Sequence, residues 1–507
     1  MATTATDAKV GISDIRSLDT LPKAEAFLHG SNSPRIVISN FISNSFTPHS
    51  SSDYIDSFDP KTGNAYARVP ISSASEVEDA ITSAAEAFKS WCKTSRGVRS
   101  KYLQRIAQLI QENRELLAVW ESIDQGKTLE RARIEVDRAI SNFSYFSTYI
   151  LHEETAARMV DGVALSYEHR SPAGVFALIS PWNMPLYLLT WKIAPCIAFG
   201  CTAVAKPSEV TSMSAFLLAD IIRQAELPSG VVNMVFGNGA ITGSAQVKSQ
   251  RIAGVSFTGG TATGIQIRKD TVADISKHLS LELGGKNPTL VFDDVDLEKA
   301  VPLAARAAFE NQGEICLCGS RIYVQKRIYD EFVLAFKQFV AKNYKCKESI
   351  GAVVSLPHYQ KIRSYLTLAE REGATFELGS IPNETPDGGY WIDPTVLTGI
   401  STSSIVMREE IFGPVVTIAT FETEEDAINL ANDNPNGLAS ILLTRDGARM
   451  RRVGEQLEAG LVWVNCWLVR ELGTPFGGMK NSGTGREGGA YSRDIFTHVR
   501  TLHIPDV

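Results

Sequence analysis

Residues 174–206 read GVFALISPWNMPLYLLTWKIAPCIAFGCTAVAK, and this stretch decides the fold class. Its first seven and last six residues are short, mostly apolar runs of the length of a buried parallel strand, and a helix-like stretch separates them. The same alternation continues with VVNMVF (231–236) and GVSF (254–257). Strands that alternate with helices predict a doubly wound α/β sheet.

A second set of apolar runs predicts a second α/β domain. These runs are TLVF (289–292), RIYVQ (321–325), VVTIATF (415–421), SILLT (440–444) and LVWVN (461–465). Residues 158–169 alternate apolar and polar side chains, which predicts an exposed hairpin, and residues 497–504 are typical of one more strand. Upstream, apolar residues at helical spacing predict helices over about 75–118 and 130–150.

The composition is typical of a soluble globular protein. The 507 residues allow about three domains at roughly 150 residues each. The net charge of −7 argues against a nucleic-acid partner, because it implies no basic face. No apolar run reaches the roughly 20 residues that cross a bilayer, so no membrane association is expected.

Residues 1 to about 35 predict a poorly ordered extension. They lack the basic start and apolar centre of a secretory signal, and their acidic residues disfavour a mitochondrial presequence. A cytoplasmic location is therefore expected. The seven cysteines are irregularly spaced, which predicts reduced thiols, and neither they nor the eight histidines have the spacing of a metal site.

Two glycine-rich turns are candidates for a dinucleotide site. The segment from Gly237 through Gly239 to Gly243 follows a strand, but it has one residue too many for the G-x-G-x-x-G pattern. FTGGTATG (257–264) leads from a strand into a helix, so its glycines and the free N–H groups of the helix suit a phosphate. A plain turn is the alternative for both.

Lys206-Pro-Ser208-Glu209 stands at the end of the strand CTAVAK, where open α/β sheets bind ligands. A carboxylate there accepts hydrogen bonds from both ribose hydroxyls of an adenosine and repels a 2′-phosphate. Glu209 therefore favours NAD over NADP. The alternative is that Ser208 and Glu209 only begin the next helix.

Taken singly, Glu282 of ELGGKNP and Cys316 of NQGEIC are ordinary residues, and a lone cysteine is more often inert than nucleophilic. Together the motifs resemble the ordered signature of the aldehyde dehydrogenase superfamily over about 39–501. The motifs are SPWNMPL (180–186), KPSE (206–209), FTGG (257–260), ELGGKNP (282–288), NQGEIC (311–316), EEIFGPV (409–415) and PFGG (475–478).

The resemblance implies an α/β fold with three parts: a Rossmann-like NAD-binding domain, an α/β catalytic domain and a small β oligomerisation domain. The implied bounds are 36–151 with 172–283, then 284–486, and 152–171 with 487–507. The hairpin and the C-terminal strand would bridge the subunits of a homodimer or homotetramer.

The resemblance also implies oxidation of an aldehyde to a carboxylic acid through a thioester. Cys316 would be the nucleophile, and Asn183 with the backbone N–H of Cys316 would hold the oxyanion. Glu282 would be the general base for hydrolysis, and Lys192 would relay protons from it. Cys318 would be a bystander.

NAD is the implied cofactor. Gly260 stands where most relatives carry Ser, so one pyrophosphate hydrogen bond is expected either to be lost or to be made by Thr261. The implied cofactor-binding residues are Ile179, Trp182, Lys206, Ser208, Glu209, Gly239, Gly259, Gly260, Thr261, Gly264, Leu283, Glu410 and Phe412.

Among its branches, the chain is most similar to one that oxidises an acidic semialdehyde in tryptophan catabolism. By that resemblance Arg470, Arg138 and Trp191 border the substrate tunnel, and two arginines suit a substrate that carries a carboxylate. A surface salt bridge of Arg470 with Glu471 or another acid is the alternative. The function alternatives are a broad-specificity or betaine-aldehyde-type enzyme, and a catalytically silent protein of the same fold.

Residues 345–351 look several residues shorter than the corresponding loop of the family. A shortened connection between a helix and a strand puts the local folding of the catalytic domain in question.

Overall fold

The computed structural model describes residues 10–30 and 35–506. Its helices are α1 Ile12–Arg16, α2 Leu21–Leu28, α3 Ala74–Trp91, α4 Arg96–Glu112, α5 Arg114–Gln125, α6 Leu129–Tyr149, α7 Pro185–Ala198, α8 Met213–Gln224, α9 Ser244–Lys248, α10 Thr261–Asp270, α11 Leu297–Phe309, α12 Tyr329–Asn343, α13 Leu356–Arg371, α14 Ile405–Arg408, α15 Glu424–Asn432, α16 Gly447–Gly454 and α17 Gly489–Phe496.

The strands are β1 Ile36–Val37, β2 Asn40–Ile42, β3 Ser45–Thr47, β4 Tyr54–Asp59, β5 Asn64–Pro70, β6 Ala157–Val160, β7 Ala164–Pro172, β8 Val175–Ile179, β9 Thr202–Lys206, β10 Val232–Met234, β11 Gly254–Thr258, β12 His278–Glu282, β13 Pro288–Val291, β14 Arg321–Gln325, β15 Thr375–Leu378, β16 Thr395–Thr398, β17 Val415–Phe421, β18 Asn436–Gly437, β19 Ala439–Leu443, β20 Leu461–Val464, β21 Met479–Lys480, β22 Gly483–Thr484 and β23 Thr497–Pro505.

The first large sheet has the order β22-β12-β11-β8-β9-β10-β2-β3. Its central strands β12, β11, β8, β9 and β10 are parallel, which confirms the predicted doubly wound sheet. From β8 the chain builds the sheet outward in one direction through β9 and β10, and then returns to add β11 and β12 on the other side. The carboxyl ends of β8 and β11 therefore form a topological switch point, where such sheets bind ligands.

The second large sheet has the order β15-β16-β17-β14-β13-β19-β20, and it is parallel except for β15. All five strands predicted for this domain are present. The helix predicted over about 75–118 is divided into α3, α4 and the start of α5. Ser73 begins α3 with a capping box, in which its hydroxyl accepts from the Glu76 N–H while the Glu76 carboxylate accepts from the Ser73 N–H.

A third sheet with the order β23-β7-β6 forms an arm. It confirms the predicted hairpin and C-terminal strand, and it leaves apolar side chains in solvent, with Met159 and Val163 each 61% exposed. The short strand β22, which falls inside the segment predicted as catalytic, pairs instead with β12 of the first sheet.

The prediction of a poorly ordered extension is wrong for residues 10–30. Helices α1 and α2 are packed on the core, where Ile15 and Ala24 are fully buried. Arg16 anchors this segment through a 2.8 Å ion pair with the buried carboxylate of Asp220. The rest of the predicted extension, residues 1–9 and 31–34, lies outside the described residues.

The short segment 345–351 folds as a closed turn. The carbonyl oxygen of Lys345 accepts hydrogen bonds from the N–H groups of Ser349 and Ile350, at 3.0 and 3.1 Å. The Cys346 thiol donates to the carbonyl of Ile392 at 3.0 Å. The shortened connection therefore closes on itself and stays attached to the catalytic domain.

No helix within residues 10–30 and 35–506 has the length and apolar character needed to traverse a lipid bilayer.

Candidate active site

Two cavities meet at the switch point of the first sheet. The first, of about 280 Å³, is lined by the predicted chemistry and substrate residues Asn183, Glu282, Cys316, Arg138 and Arg470. The second, of about 710 Å³, lies over the carboxyl ends of β8, β9 and β11. Both are lined by Pro181, Trp182, Thr258, Gly259 and Gly260, so a ligand in the second cavity can reach the first.

Cys316 follows a strained loop. Asn311, Gln312 and Gly313 all have left-handed backbone conformations, with φ of 53°, 48° and 71°. A Cβ at Gly313 would overlap the carbonyl of Gly413, so only glycine fits there. Strain of this kind is characteristic of functional loops.

Asn287, which the sequence did not single out, holds the far side of the loop. Its side-chain amide donates to the carbonyl oxygens of Cys316 and Cys318, at 2.7 and 2.9 Å. The backbone of Cys316 is thus fixed from the ELGGKNP motif, which also carries Glu282.

Burial raises the pKa of the half-buried Cys316 thiol well above its ordinary value, and the carboxyls of Glu410 and Glu282 raise it further. The thiol is therefore protonated at neutral pH in this state of the site. A base must remove its proton before it can attack a carbonyl carbon.

Asn183 lies just before α7, and its amide faces the Cys316 loop. Its Nδ2 donates a 2.8 Å hydrogen bond to the carbonyl of Glu314. An amide nitrogen carries two hydrogens, so one remains for a ligand oxygen. The Asn183 carbonyl accepts from Lys127 Nζ at 3.0 Å and from Asn311 Nδ2 at 3.2 Å, which fixes the backbone at this point.

Glu282 ends β12 inside the protein, with 4% of its surface exposed. Its Oε1 has no hydrogen-bond partner within the described ranges, and a Cβ at Gly477 would lie 2.7 Å from it, so the PFGG motif makes room for this carboxyl. Burial raises the pKa of Glu282 well above its ordinary value, and the nearby Glu487 raises it further, while Lys192 and Arg486 lower it.

Lys192 does not line the first cavity. It is buried in α7 and donates to Ser256 Oγ and Glu487 Oε1, both at 3.0 Å. Glu487, which lines the cavity, is therefore the group that connects Lys192 with the region of Glu282. Sequence reasoning missed Glu487, because nothing in the local sequence distinguishes it from a surface acid.

Eight of the predicted cofactor-binding residues line the second cavity. They are Ile179, Trp182, Lys206, Ser208, Glu209, Gly239, Gly259 and Gly260. Helix α10 begins at Thr261, and Gly260 before it provides no side-chain cap, so the first N–H groups of the helix are free for a phosphate. A Cβ at Gly239 or Gly260 would meet nothing within 4 Å, since both positions face open space.

Thr261 and Gly264 do not line this cavity. Both lie beside a separate depression on the opposite side of α10. A Cβ at Gly264 would lie 2.5 Å from the Leu283 side chain, so this glycine serves the packing of α10 on the segment after β12. Thr263, which the sequence did not suggest, lines the cavity instead and offers a hydroxyl there.

Leu283, Glu410 and Phe412 line the first cavity. Glu410 Oε1 accepts a 2.9 Å hydrogen bond from the Gly285 N–H. The ring of Phe412, whose φ is 66°, meets that of Trp182 edge-on at 5.2 Å. His358, a further residue that the sequence did not indicate, packs on Trp182, and burial lowers its pKa to about 4.

The two arginines lie together at the other end of the first cavity. The guanidinium carbons of Arg138 and Arg470 are both 5.4 Å from the centre of the Tyr187 ring. Arg470 also stacks on Trp191 and Phe476, at 4.1 and 4.2 Å. Its Nη2 is buried without a hydrogen-bond partner in the part of the chain that the structure describes.

Burial, with the charge of Arg138, lowers the pKa of Arg470 to about 9. Arg470 forms no salt bridge with Glu471, whose carboxylate accepts a 2.7 Å hydrogen bond from the Gly473 N–H. Trp191 is fully buried behind Arg470 and does not line the cavity, so it can act on a substrate only through that arginine.

Comparison with known proteins agrees with this geometry. Residues 46–502 match the model of the aldehyde dehydrogenase family. Over 485 residues the chain is 46% identical to 2-aminomuconic semialdehyde dehydrogenase of Homo sapiens, covering 92% of this chain and 98% of that protein. It is 38% identical to 2-hydroxymuconic semialdehyde dehydrogenase of a Pseudomonas strain, covering 92% and 99%.

A solved structure also matches nearly the whole chain. It is the NAD⁺ complex of an aldehyde dehydrogenase from Bacillus cereus, which has a TM-score of 0.90 and 33% identity and covers 96% of this chain and 99% of that one.

Proposed function

Since the chain belongs to the aldehyde dehydrogenase family, we propose that it oxidises 2-aminomuconate semialdehyde, an aldehyde that carries a carboxylate, to the dicarboxylic acid with NAD. The choice of substrate depends on Arg470, which lines the same cavity as Arg138 and Cys316. Its buried Nη2 has no hydrogen-bond partner among the described residues. The relatives named for muconic semialdehydes support the same choice. That substrate implies a role in tryptophan catabolism.

A buried cation without an acid is costly unless a ligand brings the charge. The planar guanidinium forms two parallel hydrogen bonds with a carboxylate, and these are stronger than bonds between neutral groups. The arginines therefore hold the carboxylate end of the substrate. The aldehyde end is thereby directed toward Cys316.

The chemistry then depends on three residues of the first cavity. Glu282 accepts the thiol proton, and the Cys316 sulfur bonds to the aldehyde carbon, whose oxygen takes the negative charge. The free hydrogen of the Asn183 amide and the backbone N–H of Cys316 stabilise that oxygen. Bound NAD supplies an acceptor for the hydride that leaves this carbon, and a thioester on Cys316 remains.

Glu282 completes the reaction as a general base. It first passes the thiol proton toward Glu487 and so becomes a carboxylate again. It then takes a proton from a water molecule, the resulting hydroxide adds to the thioester carbon, and the carbon–sulfur bond breaks to release the acid and the Cys316 thiolate. The proton then passes from Glu282 toward Glu487 and Lys192, which lie behind it.

The second cavity fits NAD. Glu209 offers acceptors for the two ribose hydroxyls and would repel a 2′-phosphate. The uncapped start of α10 offers N–H donors to the pyrophosphate, and Thr263 offers a hydroxyl. Glu410 and Phe412 stand in the first cavity, where the nicotinamide half would lie.

The test compares 2-aminomuconate semialdehyde with propanal and betaine aldehyde by following NADH formation. We expect Arg470→Met to lower kcat/KM for the acidic aldehyde about 100-fold, because one charge-assisted hydrogen-bonded pair is lost. The kcat/KM for propanal should change little. Arg105→Met, which removes an exposed arginine outside the site, is the matched control. A preference of the wild type for betaine aldehyde, or equal losses on all aldehydes, would overturn the proposal.

We further propose a cytoplasmic homodimer or homotetramer, with the division into three domains set out above. The exposed apolar side chains of the β23-β7-β6 arm support this assembly, because a small sheet with a bare apolar face needs a partner surface. Sedimentation of wild type beside a Met159→Lys/Val163→Lys variant tests it, and an unchanged mass would count against the arm as an interface.

A further inference from the structure

Gln125, which ends α5, and the next two residues, Gly126 and Lys127, form a turn that contacts Asn183 and the loop that precedes Cys316. We refer to it as the 125–127 turn. None of its residues lines either cavity, and all three are buried. Its contacts are made with the backbone of Asn183 and with side chains of the loop that precedes Cys316.

Lys127 reaches the Asn183 side. Its Nζ is fully buried and donates to the carbonyl of Asn183 at 3.0 Å. The ammonium also pairs closely with Glu135 and lies 3.7 Å from Glu121 Oε1. The ammonium therefore makes hydrogen bonds to Glu135 and to the Asn183 carbonyl, and the charge of Glu121 lies close to it.

Glu121 extends this contact into the start of α7. Its Oε1 accepts from the Leu186 N–H at 3.3 Å, one of the N–H groups that a helix start leaves free. The segment 183–186 is thus held at its carbonyl by Lys127 and at its N–H by Glu121. This segment presents the Asn183 amide to the cavity.

Gln125 reaches the Cys316 side. Its amide donates to Glu314 Oε2 at 2.6 Å, and its Oε1 accepts from Gln312 Nε2 at 3.2 Å. Glu314 and Gln312 belong to the strained loop before Cys316, and the carbonyl of Glu314 is the acceptor of the Asn183 amide. The carbonyl of Gly126 accepts from the Ala352 N–H at 3.2 Å, and this contact attaches the turn to the second domain.

We propose that the 125–127 turn is a positioning element, in which Lys127 and Gln125 set the separation between the Asn183 amide and the backbone N–H of Cys316. The inference rests on the proposed reaction, in which these two groups hold the oxyanion. Donors of this kind act only when they point at the position that the oxygen takes in the transition state. A small displacement of either backbone therefore costs rate without closing the cavity.

The experiment measures two reactions of Cys316 in Lys127→Met. Acylation by p-nitrophenyl acetate passes through an oxyanion and needs neither NAD nor an acidic aldehyde. Alkylation by iodoacetamide forms no oxyanion. We expect acylation to fall at least tenfold and alkylation to change less than about twofold, because an oxyanion-hole donor contributes about 10²–10³ in rate.

A double-mutant cycle then separates positioning from a general structural role. On an Asn183→Ala background Lys127→Met should cost less than about twofold further, since the group it positions is gone. An equal loss on both backgrounds, or a parallel fall in acylation and alkylation, would overturn the proposal. Lys277→Met is the matched control, because Lys277 is another buried lysine that donates to backbone carbonyls, those of Val247 and Ser249.

Gln125→Leu tests the other half of the turn and replaces Lys127→Met if that variant does not fold. It removes one donor to Glu314 and leaves Gln312 and the Val354 N–H in place. The same selective loss of acylation is expected, and a ratio of the two rates equal to that of wild type would overturn the proposal. Failure of the substrate proposal would be distinguishable from this result. The wild type would then prefer an aldehyde without a carboxylate, while the acylation rates of the variants would be unaffected.

Discussion

The side-chain amide of Asn183 donates a 2.8 Å hydrogen bond to the backbone carbonyl of Glu314, two residues before Cys316. This bond ties the start of α7 in the first domain to the nucleophile loop of the second. It also orients the amide whose second hydrogen is left for the substrate oxygen.

Replacing Asn183 by alanine removes that donor. We expect kcat for NADH formation to fall about 10²–10³-fold, while alkylation of Cys316 by iodoacetamide continues at the wild-type rate. Single-turnover fluorescence of NADH measures the first and mass spectrometry the second. A rate within threefold of wild type would contradict the role of Asn183.

The two neighbouring cysteines should behave differently. Cys316→Ala should form no NADH, because no other group can hold the thioester. Cys318 is buried, and burial raises its pKa to about 12, so Cys318→Ala should keep turnover and lose only about 1 kcal/mol of unfolding free energy. NADH formation by Cys316→Ala, or its loss in Cys318→Ala, would contradict the assignment of Cys316 as the nucleophile.

The pH dependence follows from Glu282. Its pKa is raised by burial and by Glu487, and the general base acts only when it is deprotonated, so hydrolysis of the thioester should accelerate as pH rises through the raised pKa. Glu487→Gln removes a like charge and should move the rising limb to lower pH. Rapid-quench measurement of the rate of thioester decay between pH 5 and about 10 locates the pH at which this rate rises. A limb that stays in place or moves to higher pH would exclude this coupling.

Arg470 should favour activity at the expense of stability. In the free protein its cation is buried without an acid, which is unfavourable, and burial lowers its pKa to about 9. Arg470→Met should therefore raise Tm by about 1–3 °C while it reduces turnover of the acidic aldehyde. The Arg105→Met control should move neither quantity, and a fall in Tm for Arg470→Met would indicate that its aromatic contacts outweigh the desolvation.

Glu209 should set the choice of cofactor. Glu209→Ala should lose about tenfold in affinity for NAD, because two acceptors for ribose hydroxyls disappear, and it should bind NADP better than the wild type does. Titration of protein fluorescence with each nucleotide measures both. Unchanged affinities would remove Glu209 from the cofactor site.

Much of the fold could be predicted, because the relevant signal is local. The runs at 321–325 and 415–421 are strands with those same bounds, since each is mostly buried and is bounded by polar residues or by proline. The N-terminal helices were not predicted, because α1 has only 5 residues and its order depends on contacts such as Arg16 with Asp220. Such contacts join residues about 200 positions apart and leave no local pattern.

The candidate site was predictable only where a motif carried the residue. Cys316, Glu282 and Asn183 come from three motifs, and the structure brings them to one cavity. Thr261 was misplaced because each residue along a helix rotates the side chain by about 100°, so Thr263, two residues on, points to the opposite side of α10 and faces the cavity instead. Glu487 and Lys127 were missed because their roles depend on burial beside residues distant in the sequence, which local spacing does not encode.

The pair Glu282 and Glu487 also affects how the reaction ends. In the proposed reaction, oxidation creates a second carboxylate at the end of the substrate that lies beside these two acids, while the arginines hold the first. The newly formed anion is thus repelled from the place where it arises, and the dianion is bound at one end only. The negative charges that raise the pKa of Glu282 therefore also favour release of the product. Inhibition by accumulated product should be weak.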